Sequence, residues 1–161
     1  MDTLNDHIRA YTAQLVLGHI QKAYKGIIGF MTELKAYLEH RHADYVSGAL
    51  YFGYMDITYF AFTPIVLKQK KLKIAIVYLH GQSRFELWLA AENRKIQSAT
   101  IALLSGKNIG AFKLSAAGPG VDSIIAWTAA EQPDFDSPDT LMTLIEAQTI
   151  RFAADMAALM G

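Results

Sequence analysis

The apolar positions change rhythm along the chain, and each rhythm predicts a different element. Asp2 or Thr3 can cap a first helix running to about residue 17, where Gly18 supplies a stop. A second helix is predicted over about 20–41. Ile20, Tyr24, Ile27, Ile28, Met31, Leu34 and Leu38 recur there at three- and four-residue intervals and form one core-facing stripe. Gly26 and Gly29 weaken its middle by about 1 kcal/mol each relative to Ala, so packing must compensate or another element must approach closely.

Residues 45–62 are rich in Tyr, Phe and Ile with interspersed glycines, a strand-and-turn pattern whose strongest strand is 57–62. Thr63-Pro64 reads as a helix cap followed by proline at the first helical position, opening a short helix to about residue 70. The β-branched run 73–80 is a strand, Gly81-Gln82-Ser83 a hairpin turn, and 84–90 the returning strand. A helix is expected over about 93–104. The glycine-rich 105–120 reads as loop with one short strand near 111–114, AAGPG as a turn, and 121–129 as the final strand. Ser137 caps the last helix, with Pro138 at its first position and Asp139 at the positive end of its dipole. Leu141, Leu144, Ile145, Gln148, Phe152, Met156 and Leu159 form its stripe.

The order ααβ(α)ββαβα predicts an α/β (α+β) fold, with helices packed on a mixed sheet around a central antiparallel hairpin. The 161 residues have the size of one domain, and no linker or repeat divides them, so residues 1–161 are expected to form a single domain.

Composition then removes whole classes of function. Lys plus Arg and Asp plus Glu number 15 each, so no net field draws the chain to nucleic acid or acidic membranes. The same balance leaves little repulsion between copies, and with a 52% hydrophobic content it favours a homodimer. Without cysteine there is no disulfide, thiolate nucleophile or Cys-based metal site. The polar opening MDTLNDHIRAYT is not a signal peptide, and no apolar run is long enough to span a bilayer; the cytoplasm is the expected location.

The stretches YFGYMDITYFAFTP (51–64), LKIAIVYLHGQSRFELWLAAENRKIQ (72–97), QKAYKGIIGFM (21–31) and 133–152 together resemble an uncharacterised bacterial family catalogued as a domain of unknown function. That resemblance implies one domain and transfers no activity. A second similarity is topological, to restriction-endonuclease-like folds, which hold Mg²⁺ with an Asp on the second strand and Glu-x-Lys on the third. Here Glu86-Leu87-Trp88 puts Trp in place of the lysine, and the strand 73–80 has no acidic residue. The nearest is Asp56, one strand earlier. Fold analogy does not establish function.

Arg84, Glu86 and Trp88 share one strand face, with Phe85, Leu87 and Leu89 on the other, so this strand is expected to be central and covered on both sides. Glu86 then forms a structural pair, with Arg84 or an incoming Tyr, or serves as a pocket carboxylate. Tyr54, Asp56 and Thr58 share a face as well. Asp56 either caps a turn after Gly53 or joins Tyr54, Arg84, Glu86 and Trp88 in a mixed polar and aromatic pocket for a small polar ligand.

Other clusters carry less. His40 and His42 cannot face one another on a helix, the remaining histidines are isolated, and no metal site or cofactor is expected. Glu131, Asp134, Asp136 and Asp139 lack the spacing of a calcium loop. No phosphate loop or GxSxG elbow occurs. The run LKQKKLK (67–73) reads as a solvated helix end. The sequence therefore predicts a small-ligand-binding or protein-interaction domain without assigned catalytic residues. The alternatives are a diverged or inactive restriction-endonuclease-like, Mg²⁺-dependent phosphodiesterase using Asp56 and Glu86, and a purely structural homodimer.

Overall fold

The structure, a computed structural model, describes residues 2–116 and 118–161. Thr3 caps α1 (Leu4–Leu17): its hydroxyl accepts from the Asp6 N–H at 3.2 Å while the Asp6 carboxylate accepts from the Thr3 N–H at 3.0 Å. Each thereby satisfies a donor that the helix end leaves open. Gly18, at φ 83°, ends the helix in the left-handed region that glycine adopts without strain, and α2 (His19–Arg41) begins at the next residue. There follow β1 (Tyr45–Ser47), β2 (Ile57–Pro64), a single turn α3 (Ile65–Lys68), β3 (Leu72–Leu79), β4 (Arg84–Ala91), α4 (Arg94–Ser105), β5 (Ser123–Glu131) and α5 (Pro138–Met160).

The strands lie in chain order, β1-β2-β3-β4-β5, and every neighbour is antiparallel. Class and element order are those the sequence predicts. The sheet, expected to be mixed, is antiparallel throughout, because the excursion through α4 returns the chain to the end of β4 that it left. Ala90 pairs with Ser123, so β5 runs back beside β4.

One face of this sheet carries Phe60, Phe62, Ile74, Ile76, Tyr78, Phe85, Leu87 and Leu89, all buried in one cluster with Met31, Leu34 and Leu38 of α2 and Ile145, Phe152 and Met156 of α5. Each such side chain contributes roughly 1.5–3 kcal/mol on burial, which outweighs the two helix glycines. The opposite face has no helix over its middle. Tyr59, Lys73 and Trp88 are half-buried there, and Ala126 and Thr128 are exposed.

Several local expectations are corrected. Thr63 and Pro64 end β2 instead of opening a helix: the Thr63 hydroxyl is buried and accepts from the Ile74 N–H at 3.2 Å, tying β2 to β3, and Pro64 is the cap residue before α3. The Ser137 side chain makes no capping bond, although Pro138 opens α5 as expected. Near 111–114 only a bridge between Leu114 and Ile125 forms. Ile20 and Leu144 are exposed, and nothing lies within 4 Å of where a Cβ at Gly26 or Gly29 would sit. The AAGPG turn includes Ala117, which lies outside the described residues; beside it the Val121 N–H donates to the Gly118 carbonyl at 3.2 Å. β4 is central but covered by helices on one side only.

Candidate functional site

On the uncovered face the register sets two rows across the strands: Tyr59, Val77, Glu86 and Thr128, then Ala61, Ala75, Trp88 and Ala126. The alternation of each strand puts them there, since residues two apart share a face. Tyr59 on β2 and Trp88 on β4 flank β3 diagonally, two strand spacings apart across the sheet and one row apart along it, roughly 12 Å between their backbones. Between them Ala75 offers only a methyl group. The result is a hollow of about 300 Å³ with Tyr59 and Trp88 as aromatic walls and Ala75 and Ala90 as floor. Lys73 lines it from β3. At the mouth of α4, Asn93, Arg94 and Gln97 form its end wall with Asp122.

That end wall is braced. The Asn93 side chain caps α4 by accepting from the Ile96 N–H at 2.8 Å. Arg94 pairs with Asp122 at 2.9 Å, and Gln97 donates to the Val121 carbonyl at 2.9 Å. Lys68 and Glu92 pair nearby at 3.5 Å. Lys73 takes part in no ion pair among the described residues, and it lines the hollow together with Arg94 and the carboxylates of Glu92 and Asp122.

The sequence candidates separate into two groups. Arg84, Glu86 and Trp88 come together on the uncovered face. Arg84 Nη2 lies 2.6 Å from Glu86 Oε2, and Trp88 Nε1 donates to Glu86 Oε1 at 2.8 Å. Arg84 also approaches Glu131 at 3.9 Å, and its Nε is buried without a partner. Of the three, only Trp88 lines the hollow; the others hold its indole in place.

Tyr54 and Asp56 lie in the turn before β2. Tyr54 is 92% exposed. The Asp56 carboxylate accepts from the Tyr54 N–H at 2.9 Å, and backbone N–H groups of this turn hold its pKa below the usual aspartate value. Gly53, at φ 73°, permits the turn: a Cβ there would lie 2.0 Å from the Ile57 carbonyl oxygen. Beside it, Thr58 donates to the Phe52 carbonyl at 2.7 Å and so must accept from His80 Nε2 at 2.8 Å, which assigns the proton to that nitrogen. Burial lowers the His80 pKa, against the opposing charge of Asp56.

One polar cluster has no signal in the sequence. Glu146 sits within the buried stripe of α5, where its carboxylate accepts from Arg41 Nε at 2.7 Å and Tyr37 Oη at 3.2 Å and meets His42 Nε2 at 2.7 Å. Burial pushes its pKa up, but these three partners together outweigh that and hold it below the ordinary glutamate value of 4.5. The partners come from the end of α2, over 100 residues away, so no local spacing announces them. The cluster ties α2 to α5 and borders no cavity described above. Tyr59 and Lys73 were likewise legible as strand residues without any sign that their face stays open.

Among the described residues, no group of three or more His, Asp or Glu side chains is placed to hold a metal ion, and no helix is long and apolar enough to cross a membrane.

Fold and hollow together define an α/β protein with a five-stranded antiparallel meander, helices on one face and an aromatic-walled depression on the other. The chain belongs to the family described as Domain of unknown function (DUF7000), whose family model matches residues 4–160. Neither a curated protein nor a solved structure matches it.

Proposed function

We propose that this protein is a non-enzymatic binding module, acting in the cytoplasm as a single domain over residues 1–161, and that it takes a small planar anion on the uncovered sheet face. The observation that carries this reading is the unpaired Lys73 beside a hollow walled by Tyr59 and Trp88. Small-molecule sites combine apolar and aromatic walls with a few fixed polar groups, and about 300 Å³ is at the small end of their range. Tyr59 and Trp88 supply aromatic surface for a flat ring, and Lys73, which has no ion-pair partner among the described residues, supplies a cation for a carboxylate or phosphate. Arg84 and Glu86 are positioning residues that hold the indole of Trp88. Tyr54 and Asp56 belong to the neighbouring turn.

The Mg²⁺-dependent alternative requires free carboxylates at Asp56 and Glu86. Both are engaged, one by backbone N–H groups and the other by Arg84 and Trp88.

The test uses the intrinsic fluorescence of Trp88 in a Trp127→Phe variant, titrated with aromatic carboxylates and nucleoside monophosphates and with their uncharged counterparts. Saturable change with the anions, weakened by Lys73→Gln and by Tyr59→Ala, supports the reading. A response equal for charged and uncharged probes, or indifferent to both substitutions, overturns it.

A further inference from the structure

We propose that a second cavity, between α5, β5 and the loop that follows α4, binds a free α-amino acid with an apolar side chain. Local chemistry shapes the loop. The Asn108 side-chain oxygen accepts from the Gly110 N–H at 3.0 Å, and Gly110, at φ 64°, takes a left-handed turn that glycine adopts without strain. Lys107 Nζ donates to the Leu159 carbonyl at 2.6 Å and ties the loop to the end of α5. Phe112 then sits edge-on against Trp127 of β5, with ring centres 5.1 Å apart, and 5.9 Å from Phe152 of α5. These three rings line a cavity of about 260 Å³, with the buried Phe152 as its floor. Trp127 pairs with the buried Leu87 across β4 and β5, so the cavity lies on the helix-covered side of the sheet, opposite the hollow at Lys73.

The remaining wall is polar and comes from one helix. Gln148, Arg151 and Asp155 follow one another at intervals of three and four residues, so α5 sets them along one side of the cavity. Gln148 interrupts the apolar stripe of α5; its Oε1 accepts from Trp127 Nε1 at 3.4 Å, which leaves its amide N–H groups as donors.

Arg151 and Asp155 carry opposite charges one turn apart, yet among the described residues neither takes part in an ion pair. With the cation nearer the helix N-terminus, theirs is the less favourable order for a pair at this spacing. One cation and one carboxylate therefore line the same cavity without neutralising each other.

That pattern selects a zwitterion. A simple anion gains Arg151 but meets Asp155, and a simple cation meets the reverse. An α-amino acid satisfies both: its carboxylate accepts from Arg151 and the Gln148 amide, and its ammonium donates to Asp155, each bond being charge-assisted. Both groups sit on one carbon, and side chains whose Cβ atoms are about 5–6 Å apart on one helix face can reach them together. The third substituent meets Phe112, Trp127 and Phe152. Their one hydrogen-bond donor, the indole N–H, is already engaged by Gln148, so an apolar side chain is favoured there. At about 260 Å³ the cavity falls below the roughly 300–1,000 Å³ of sites for drug-sized ligands, which suits one amino acid and not a peptide. The proposal stands independently of the hollow at Lys73.

The experiment reads Trp127 fluorescence in a Trp88→Phe variant of the full chain, which removes the indole of the hollow. The probes are L-phenylalanine, L-leucine, glycine, N-acetyl-L-phenylalanine and L-phenylalaninamide. Phenylalanine and leucine should bind with a Kd of about 1 mM or tighter, and blocking either charge or removing the side chain should weaken binding about tenfold. Each substitution should act on one end of the ligand. Arg151→Gln should abolish the difference between phenylalanine and its amide, and Asp155→Asn the difference between phenylalanine and its N-acetyl derivative, whereas a structural role would weaken every probe alike. Amide chemical-shift mapping of the unsubstituted ¹⁵N-labelled protein with phenylalanine locates the site without any variant, and its shifts should gather at Phe112, Trp127, Gln148 and Arg151. No saturable response to either amino acid, equal binding of the free and blocked forms, or shifts that gather elsewhere overturns the proposal.

Discussion

The indole N–H of Trp88 donates to the carboxylate of Glu86 at 2.8 Å, between two residues that alternate on one strand and face the same way. The other oxygen of that carboxylate meets Arg84 at 2.6 Å, so three successive positions on one face of β4 are locked into a single chain of contacts. The sequence allows Glu86 to be a pair member or a pocket group. The geometry makes it a partner of Arg84 and Trp88, and the proposed ligand site uses the indole that it orients.

Glu86→Ala should therefore lower stability by about 2 kcal/mol, because it leaves a partly buried guanidinium and an indole donor without their acceptor. For a chain of this size that is a fall of several degrees in Tm. Mg²⁺ should leave the melting curves of wild type and variant unchanged. A metal-dependent rise in the wild type that the variant loses would revive the phosphodiesterase alternative.

The Glu146 cluster should govern acid stability. Its carboxyl has a lowered pKa in the folded protein, so its contribution is complete above the ordinary glutamate value of 4.5 and is lost as pH falls through the folded-state value. Denaturant midpoints measured from pH 7 to pH 3 should fall more steeply for the wild type than for Glu146→Gln. At pH 7 that variant should be less stable by about 2 kcal/mol, since Arg41 and His42 keep no charged partner.

His80 acts in a higher window with the same sign. Its pKa is lowered by burial, so the unfolded chain takes up a proton first, below the ordinary value of 6.5. Stability should decline as pH falls from 6.5, and His80→Gln should flatten that part of the profile while retaining a donor to Thr58. Chemical denaturation at half-unit pH steps separates this window from that of Glu146.

Gly53→Ala and Gly81→Ala should differ sharply. A Cβ at Gly53 would meet the Ile57 carbonyl oxygen at 2.0 Å in a left-handed backbone, whereas Gly81 has open space and no positive φ. The first should cost at least about 2 kcal/mol and the second little, as read from thermal melts.

What could be read in advance follows the range of the interactions. Thr3, Gly18 and Asn93 act within a few residues of themselves, so the helix ends they set are visible in the chain. The β-branched run in 73–80 and the alternation in 84–90 likewise carry their own strand signatures. Thr63-Pro64 misleads because the same dipeptide that opens a helix also closes a strand, and the hydroxyl's choice of Ile74 is made by the neighbouring strand. Glu146 interrupts an apolar stripe for reasons found only at the far end of α2. Alternation places Tyr59 and Lys73 on one face, but whether a helix covers that face is decided by the path of the whole chain.

The most direct test of the central claim, that the uncovered face holds a small planar anion, is amide chemical-shift mapping of the ¹⁵N-labelled protein against an aromatic carboxylate and its neutral amide. Saturable shifts should gather at Tyr59, Lys73, Ala75, Trp88 and Ala90 and around the start of α4 for the carboxylate, and should largely vanish with the amide or in Lys73→Gln. Shifts that gather elsewhere, or that are the same for both molecules, would contradict the account.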